Sequence, residues 1–194
     1  MVSVRLLAAA ALAGCATAAP PPAARPEPAA VAADTARAYT EADVRFVQGM
    51  IGHHAQALVM TSLVSQRTAR RELHLLAERI EVSQRDEIAT MERWLSARGE
   101  AVPAAHAGHQ HGLMPGMLTP EELARLAAAS GAEFDRLFLQ FMIRHHEGAL
   151  VMVRELLQSP GAGQESQLFQ FASDVDADQR AEIARMQALL GTIG

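Results

Sequence analysis

The chain has 194 residues and a formal net charge of −5, and 49% of its residues are hydrophobic although only 4% are aromatic. This length suits one domain with additional segments, and the acidic balance argues against a nucleic-acid partner, which needs a basic surface. No apolar run reaches the ~20 residues of a membrane-spanning helix. Ala and Leu, which are strong helix formers, dominate the apolar set, so the composition favours closely packed helices.

Residues 1–15 form a predicted export signal. Arg5 precedes a short apolar run, and small residues lie directly before Cys15, the only cysteine. A charged start, a short apolar core and small residues at the cleavage point are typical of a secretory signal peptide. The ending Leu-Ala-Gly-Cys resembles a bacterial lipobox, which implies that Cys15 is lipidated. The alternative is an ordinary signal peptide that is removed together with this cysteine.

Residues 16–38 are rich in Ala and Pro and contain almost no large apolar side chain. Such a segment cannot bury a core and behaves as a semi-rigid spacer. We expect it to tether residues 39–194 to the periplasmic face of a bacterial membrane through the lipid anchor. A leader with no role of its own would have the same composition.

The remaining chain contains an internal duplication. Residues 46–60 (FVQGMIGHHAQALVM) match residues 138–152 (FLQFMIRHHEGALVM), and residues 77–91 match residues 172–186 in the same order. Two blocks that match in order indicate a tandem repeat. We place its halves at about residues 40–98 and 132–191, with a loop at 99–118.

Each half has the pattern of two helices. The predicted long helices span about 40–66, 69–97, 132–158 and 164–190, and a short one begins at Pro120. Thr40 and Asp43 form a predicted capping box at the first start, and Pro120 suits a first helical position. The pattern predicts an all-α fold, an antiparallel four-helix bundle built from a tandem duplication of a helix pair.

Both halves carry adjacent histidines on their first helix. His53 and His54 lie on or beside the apolar stripe, and His145 and His146 occupy the matching positions, so all four should face the interior. A buried imidazole needs partners for both ring nitrogens. One buried histidine is more often a satisfied core residue than a ligand, but the recurrence of the pair favours a metal site. A purely structural bundle is the alternative.

Other side chains in the repeat can approach these histidines. Met50 and Met142 lie one turn before the pairs. The second helix of each half presents a glutamate and a methionine on one face, namely Glu87, Met91, Glu182 and Met186. The methionines alone would suit core packing, and the glutamates could equally pair with neighbouring arginines at a solvated edge.

The loop between the halves contains further candidate ligands. They are His106, His109, His111, Met114 and Met117. A His-rich tract of this kind is typical of metal binding, and we expect a flexible accessory site that is separable from the bundle. Imidazole binds zinc, copper, nickel and iron, whereas thioether selects copper, above all Cu(I).

A ferritin-like metal redox enzyme is the main alternative to a binding protein. Carboxylate-bridged bundle enzymes require a Glu-x-x-His motif on two helices, and the sequence contains none. No Ser or Cys nucleophile occurs in a recognisable setting either. The residues therefore favour metal binding over catalysis.

The repeated motif Met-Ile-x-His-His-x-x-Ala-Leu-x-Met, together with residues 114–121 and 134–139, resembles a bacterial domain-of-unknown-function family. The resemblance covers about residues 40–191. The family is ferritin-like in fold, and its CopM-type members bind copper in the periplasm. The resemblance implies that the four histidines, with Met50 and Met142, hold copper, although the ligands alone leave zinc open. It implies sequestration or delivery of the ion, with a copper-handling protein as a possible partner.

Overall fold

The computed structural model describes residues 38–103 and 113–193. Within them lie six helices: α1 (Glu41–Ser62), α2 (Val64–Arg67), α3 (Arg71–Ala97), α4 (Pro120–Ala128), α5 (Gly131–Gln158) and α6 (Ser166–Leu190). These ranges contain no strand, which confirms the all-α prediction. The described helices include none with the length and apolarity that a membrane span requires. The predictions for Cys15, the tether, His106, His109 and His111 lie outside the described residues.

The start of α1 is fixed by the predicted capping box. The Thr40 hydroxyl accepts from the Asp43 N–H, and the Asp43 carboxylate accepts from the Thr40 N–H at 2.7 Å. Each half of the box satisfies an N–H group that a helix start would otherwise leave unpaired. The second oxygen of Asp43 accepts from the Gly163 N–H at 2.7 Å, so the start of α1 is also tied to the turn between α5 and α6.

The first predicted helix is interrupted near its end. α1 stops at Ser62, and the chain continues as the four-residue helix α2. The hydroxyl of Thr61 donates to the Leu58 carbonyl, and that of Ser62 donates to the Val59 carbonyl. Hydroxyl side chains that bond backward in this way compete with the regular helical ladder, which accounts for the break that apolar periodicity alone did not predict.

The two halves pack as helix hairpins joined through their first helices: α1 packs along α3, α5 packs along α6, and α1 contacts α5. The first apolar cluster includes residues from 46–51, 91–95, 149–156 and 168–175. The second apolar cluster includes residues from 57–64, 73–80 and 134–142, and residue 186. Each cluster thus combines the start of one helix with the end of its neighbour, so the packing is antiparallel. The two histidine pairs lie between the clusters along α1 and α5.

Candidate metal centre

Four buried histidines form a layer between the two apolar clusters. His53, His54, His145 and His146 are each at most 1% exposed. The rings of His53 and His145 are in contact, with centroids 3.8 Å apart and planes tilted by 36°, whereas the rings within each adjacent pair are 6.3 Å and 6.2 Å apart. The sequence suggested one site in each half. The structure instead brings the two pairs into one layer. Its inner histidines, His53 and His145, come from different halves, and its outer histidines are His54 and His146.

Each outer histidine contacts a glutamate from the second long helix of its own half. The Nε2 of His54 hydrogen-bonds to the Glu87 carboxylate, and the Nε2 of His146 lies 2.7 Å from the Glu182 carboxylate. The arginines considered as alternative partners for these glutamates pair with other carboxylates on their own helices. The glutamates therefore belong to the buried layer and not to a solvated edge.

The inner histidines contact backbone carbonyls. The Nε2 of His53 lies 3.0 Å from the carbonyl oxygen of Pro115, and the Nε2 of His145 lies 3.1 Å from the carbonyl oxygen of His53. A carbonyl oxygen only accepts hydrogen bonds, so both Nε2 atoms carry the hydrogen and donate it. A carboxylate oxygen accepts from each outer ring in the same way, so all four rings donate through Nε2.

The second ring nitrogen is unpartnered in all four histidines. No Nδ1 of this layer has a hydrogen-bond partner among the described residues. In a neutral ring with its hydrogen on Nε2, Nδ1 carries a lone pair. Metal-binding histidines typically donate their other N–H to a carboxylate or a backbone carbonyl, and a buried polar atom without a partner requires an explanation such as a bound ion. Each of the four rings therefore has a buried Nδ1 atom with the chemistry of a metal ligand.

Two buried glutamines lie on the same helical faces as the glutamates of this layer. Gln84 and Gln179 occupy matching positions, one turn before Glu87 and Glu182, and each is 1% exposed. The amide oxygen of each lacks a hydrogen-bond partner within the described part of the chain. Periodicity placed both on the glutamate-bearing face, from which they can approach the histidines, but they were not among the predicted site residues.

Burial keeps the centre of the layer uncharged. Burial, reinforced by repulsion from His54, lowers the pKa of His53 to about 3 against the raising effect of the Pro115 hydrogen bond. Burial likewise holds the pKa of His145 well below its usual value. Burial would raise the pKa of Glu87, but hydrogen bonds from His54 and Ser83 outweigh it, and the pKa is lowered. At neutral pH the inner rings are thus neutral and Glu87 is ionised, which are the protonation states that metal binding requires.

Methionines flank the layer on both sides. Those of the first apolar cluster are Met50, Met91 and Met152, and those of the second are Met142, Met186 and Met60. The repeat maps each of these methionine triads onto the other. Met60 and Met152, seven residues after the first histidine of each pair, were absent from the predicted site. Their place on the same helical stripe as that histidine was the signal that could have revealed them.

Among the described residues, no group of three or more His, Cys, Asp or Glu is arranged to hold a metal ion.

The model of a family described as a domain of unknown function, DUF305, matches residues 43–190. This chain belongs to the DUF305 family. A DUF305 fragment from Deinococcus radiodurans is 33% identical with a TM-score of 0.68, and the match covers 79% of this chain and 98% of that one. A DUF305 protein from Streptomyces coelicolor, predicted to be secreted, is 29% identical with a TM-score of 0.67, covering 79% and 94%.

CopM, solved in a Cu(II)-bound form, is 29% identical to this DUF305 chain with a TM-score of 0.62, and the match covers 77% of this chain and 96% of CopM. CopM has also been solved in Cu(I)-bound and silver-bound forms. Comparison with curated proteins returns no match. The predicted resemblance to a CopM-type family is confirmed, and within that family CopM binds copper and silver.

The end of the linker between the two DUF305 halves is docked on the bundle. Met117 and Leu118 are buried, and Met114 packs against the first apolar cluster. The side chain of Gln56 donates to the Leu118 carbonyl at 3.0 Å and accepts from its N–H at 2.7 Å. The prediction of a flexible, separable loop is therefore wrong for residues 114–118, because the backbone of Pro115 and Leu118 is hydrogen-bonded to side chains of α1 and Met117 and Leu118 are buried.

Proposed function

We propose that this DUF305 protein is an envelope metal-binding protein that binds copper in the buried layer and sequesters or delivers it. The observation that carries the proposal is the set of four histidines whose Nε2 atoms are held by oxygen acceptors while their Nδ1 atoms lack partners. A core that used histidine only for packing would gain nothing from four unsatisfied buried nitrogens, since each costs about 1–3 kcal/mol.

The donor types support copper over zinc. Imidazole nitrogen suits both ions, but thioether sulfur selects Cu(I), and a methionine triad lies on each side of the layer. The binding of Cu(I), Cu(II) and silver by CopM supports the same ion class. Glu87 and Glu182 would supply negative charge beside the ion while orienting His54 and His146. This is the usual role of a carboxylate behind a metal-bound histidine.

The proposed location is the periplasmic side of a bacterial membrane. The lipobox-like ending at Cys15 and the Ala- and Pro-rich segment after it support a lipid anchor with a spacer. The resemblance to a Streptomyces DUF305 protein predicted to be secreted supports export. Replacing Cys15 with Ser should release the protein from the membrane fraction, and an unchanged distribution would exclude the anchor.

The decisive experiment is a metal analysis of the purified mature protein with copper and zinc offered together. Copper should be retained, and it should raise the free energy of unfolding by about 2.7 kcal/mol when free copper exceeds Kd a hundredfold. A variant with Ala at positions 53, 54, 145 and 146 should lose this stabilisation. His74→Gln is the matched control, because that histidine contacts the Thr68 carbonyl outside the layer.

Both forms of each variant must be compared, metal-free and metal-loaded, because the Ala changes also leave cavities. Copper-induced stabilisation that survives in the fourfold variant would mean that the layer is structural. Oxidation of Cu(I) by dioxygen over many turnovers would instead favour the redox-enzyme alternative.

A further inference from the structure

The two first helices of the repeat differ along one stripe. Segments 46–60 and 138–152 differ non-conservatively at four aligned positions. At three of them, Gly49 is aligned with Phe141, Gly52 with Arg144, and Gln56 with Gly148. Their spacing of three and four residues places each set on one face of its helix. The divergence of the halves is therefore concentrated on one surface of α1 and one of α5.

Residues Met114–Leu118 of the linker lie against this surface. On α1, an added Cβ at Gly49 would lie 3.3 Å from the Met114 sulfur, and Gln56 forms both of its hydrogen bonds with the backbone of Leu118. Gln56 is 4% exposed, so these two bonds form in a dry environment where losing either would leave an unsatisfied group. The diverged residues of α1 thus provide space and specific partners for the linker.

On α5, the corresponding contact is made by backbone alone. An ideal Cβ at Gly148 would lie 2.8 Å from the Cα of Gly116 and still closer to the Pro115 carbonyl. Gly116 has φ of +77°, and a Cβ on it would lie 2.9 Å from the Cα of Gly148. Only glycine at both positions permits this approach.

This docking determines what His53 contacts. The Pro115 carbonyl that rests on Gly148 is the acceptor for the Nε2 of His53, at 3.0 Å. The repeat partner His145 uses a different acceptor, the carbonyl of His53 within α1. One inner histidine is therefore oriented by the linker and the other by a helix.

We propose that Gln56 and Gly148 are positioning residues for His53. Together they seat the Pro115 carbonyl against Nε2, which fixes the hydrogen there and keeps the Nδ1 lone pair available to a soft cation. Because only His53 depends on the linker, the two halves of the layer are unequal. The part of this inference that concerns the cation rests on the proposed function, whereas the orientation of His53 can be tested without metal.

The test uses Gly148→Ala in the mature protein, with Gly191→Ala as the matched control. An added Cβ at Gly191 would meet only ordinary contacts, the nearest at 3.5 Å. Long-range ¹⁵N–¹H spectra of the metal-free proteins report the tautomer of each histidine. Wild type and the control should show His53 with its hydrogen on Nε2. Gly148→Ala should lose that single tautomer at His53 and retain it at His145.

Silver titration, as a redox-inert probe for Cu(I), provides the second measurement. The affinity should fall about 10- to 100-fold in Gly148→Ala, as is usual when an outer partner of a ligating histidine is lost, and should be unchanged in Gly191→Ala. If Gly148→Ala does not fold, Gln56→Leu decides, because it removes both hydrogen bonds to Leu118 without a steric clash.

Three outcomes would overturn the inference: wild-type His53 with its hydrogen on Nδ1, unchanged His53 signals in every folded variant, or unchanged silver affinity in those variants despite altered signals. If wild type binds neither silver nor copper, the proposed function fails. The metal-free spectra then still decide whether Gln56 and Gly148 position His53.

Discussion

The imidazoles of His53 and His145 are in contact with centroids 3.8 Å apart, and the Nε2 of His145 donates to the backbone carbonyl of His53. Two residues related by the sequence repeat are thus in direct contact. A change at one alters the packing of the other, so the two halves are not structurally independent at this layer.

This contact predicts energetic coupling in the metal-free protein. The free energies of unfolding of His53→Ala, His145→Ala and the double variant should deviate from additivity by about 0.5–3 kcal/mol, as contacting residues do. Urea unfolding measures all three. His53→Ala combined with His74→Gln should be additive within ~0.5 kcal/mol, because His74 contacts Thr68 and not the layer. Additivity of the His53 and His145 changes would contradict the direct contact of the two rings.

The carboxylates behind the outer histidines predict a selective loss of affinity. Glu87→Gln and Glu182→Gln keep the size of each side chain and an oxygen acceptor but remove the charge beside His54 and His146. Loss of such an outer partner typically weakens metal binding about 10- to 100-fold. Silver titration measures the affinity of each variant. Glu81→Gln is the control, because Glu81 pairs with Arg85 on the exposed side of α3.

If silver affinity falls equally in Glu81→Gln, the effect is one of overall charge and not of the His–Glu contacts. If silver affinity falls in neither Glu87→Gln nor Glu182→Gln, the outer histidines do not bind the ion.

The buried, uncharged inner histidines predict a stability that decreases with acidity. The pKa of His53 is about 3 in the folded state, against ~6.5 in an unfolded chain, so between these values the unfolded state binds a proton that the folded state does not. Stability must therefore rise with pH across this window. A histidine with this shift should lower the free energy of unfolding by about 2 kcal/mol at pH 5 relative to pH 7.

Urea unfolding of metal-free protein at pH 7, 6 and 5 measures this dependence, and His145 should act in the same direction because its pKa is also lowered. His53→Leu should flatten the profile since it removes one titrating group. A profile that is flat in the wild type would show that the inner histidines are not buried in the neutral form.

Much of this arrangement could be predicted from local sequence. Helical periodicity placed His54 and Glu87 on facing surfaces, and the repeat placed His146 and Glu182 likewise, because each half folds on itself as a hairpin. The contact of His53 with His145 could not be predicted, since it depends on how the halves pack together. The contact of Pro115 with His53 was missed for a similar reason: a Gly- and Pro-containing segment has the composition of a flexible loop, and nothing local indicates that it docks on a helix.

The methionine triads predict that thioether sulfur, and not the volume of the side chains, determines the affinity for soft ions. Met60→Leu and Met152→Leu retain nearly the same volume, so metal-free stability should change by less than ~1.5 kcal/mol. Both residues are buried in the clusters beside the layer. Removing thioether should weaken silver binding while leaving zinc binding unchanged, because zinc does not depend on thioether ligands. Parallel titrations with silver and zinc measure the difference.

Leu126→Met is the matched control for this prediction. Leu126 is fully buried in the second apolar cluster but lies on α4, outside the layer, so its replacement tests whether any volume-conserving exchange in this core has the same effect. Selective loss of silver affinity in Met60→Leu and Met152→Leu would assign sulfur ligands to both sides of the histidine layer. Equal loss of silver and zinc affinity would show that the substitutions act through packing, and the methionines would then be core residues only.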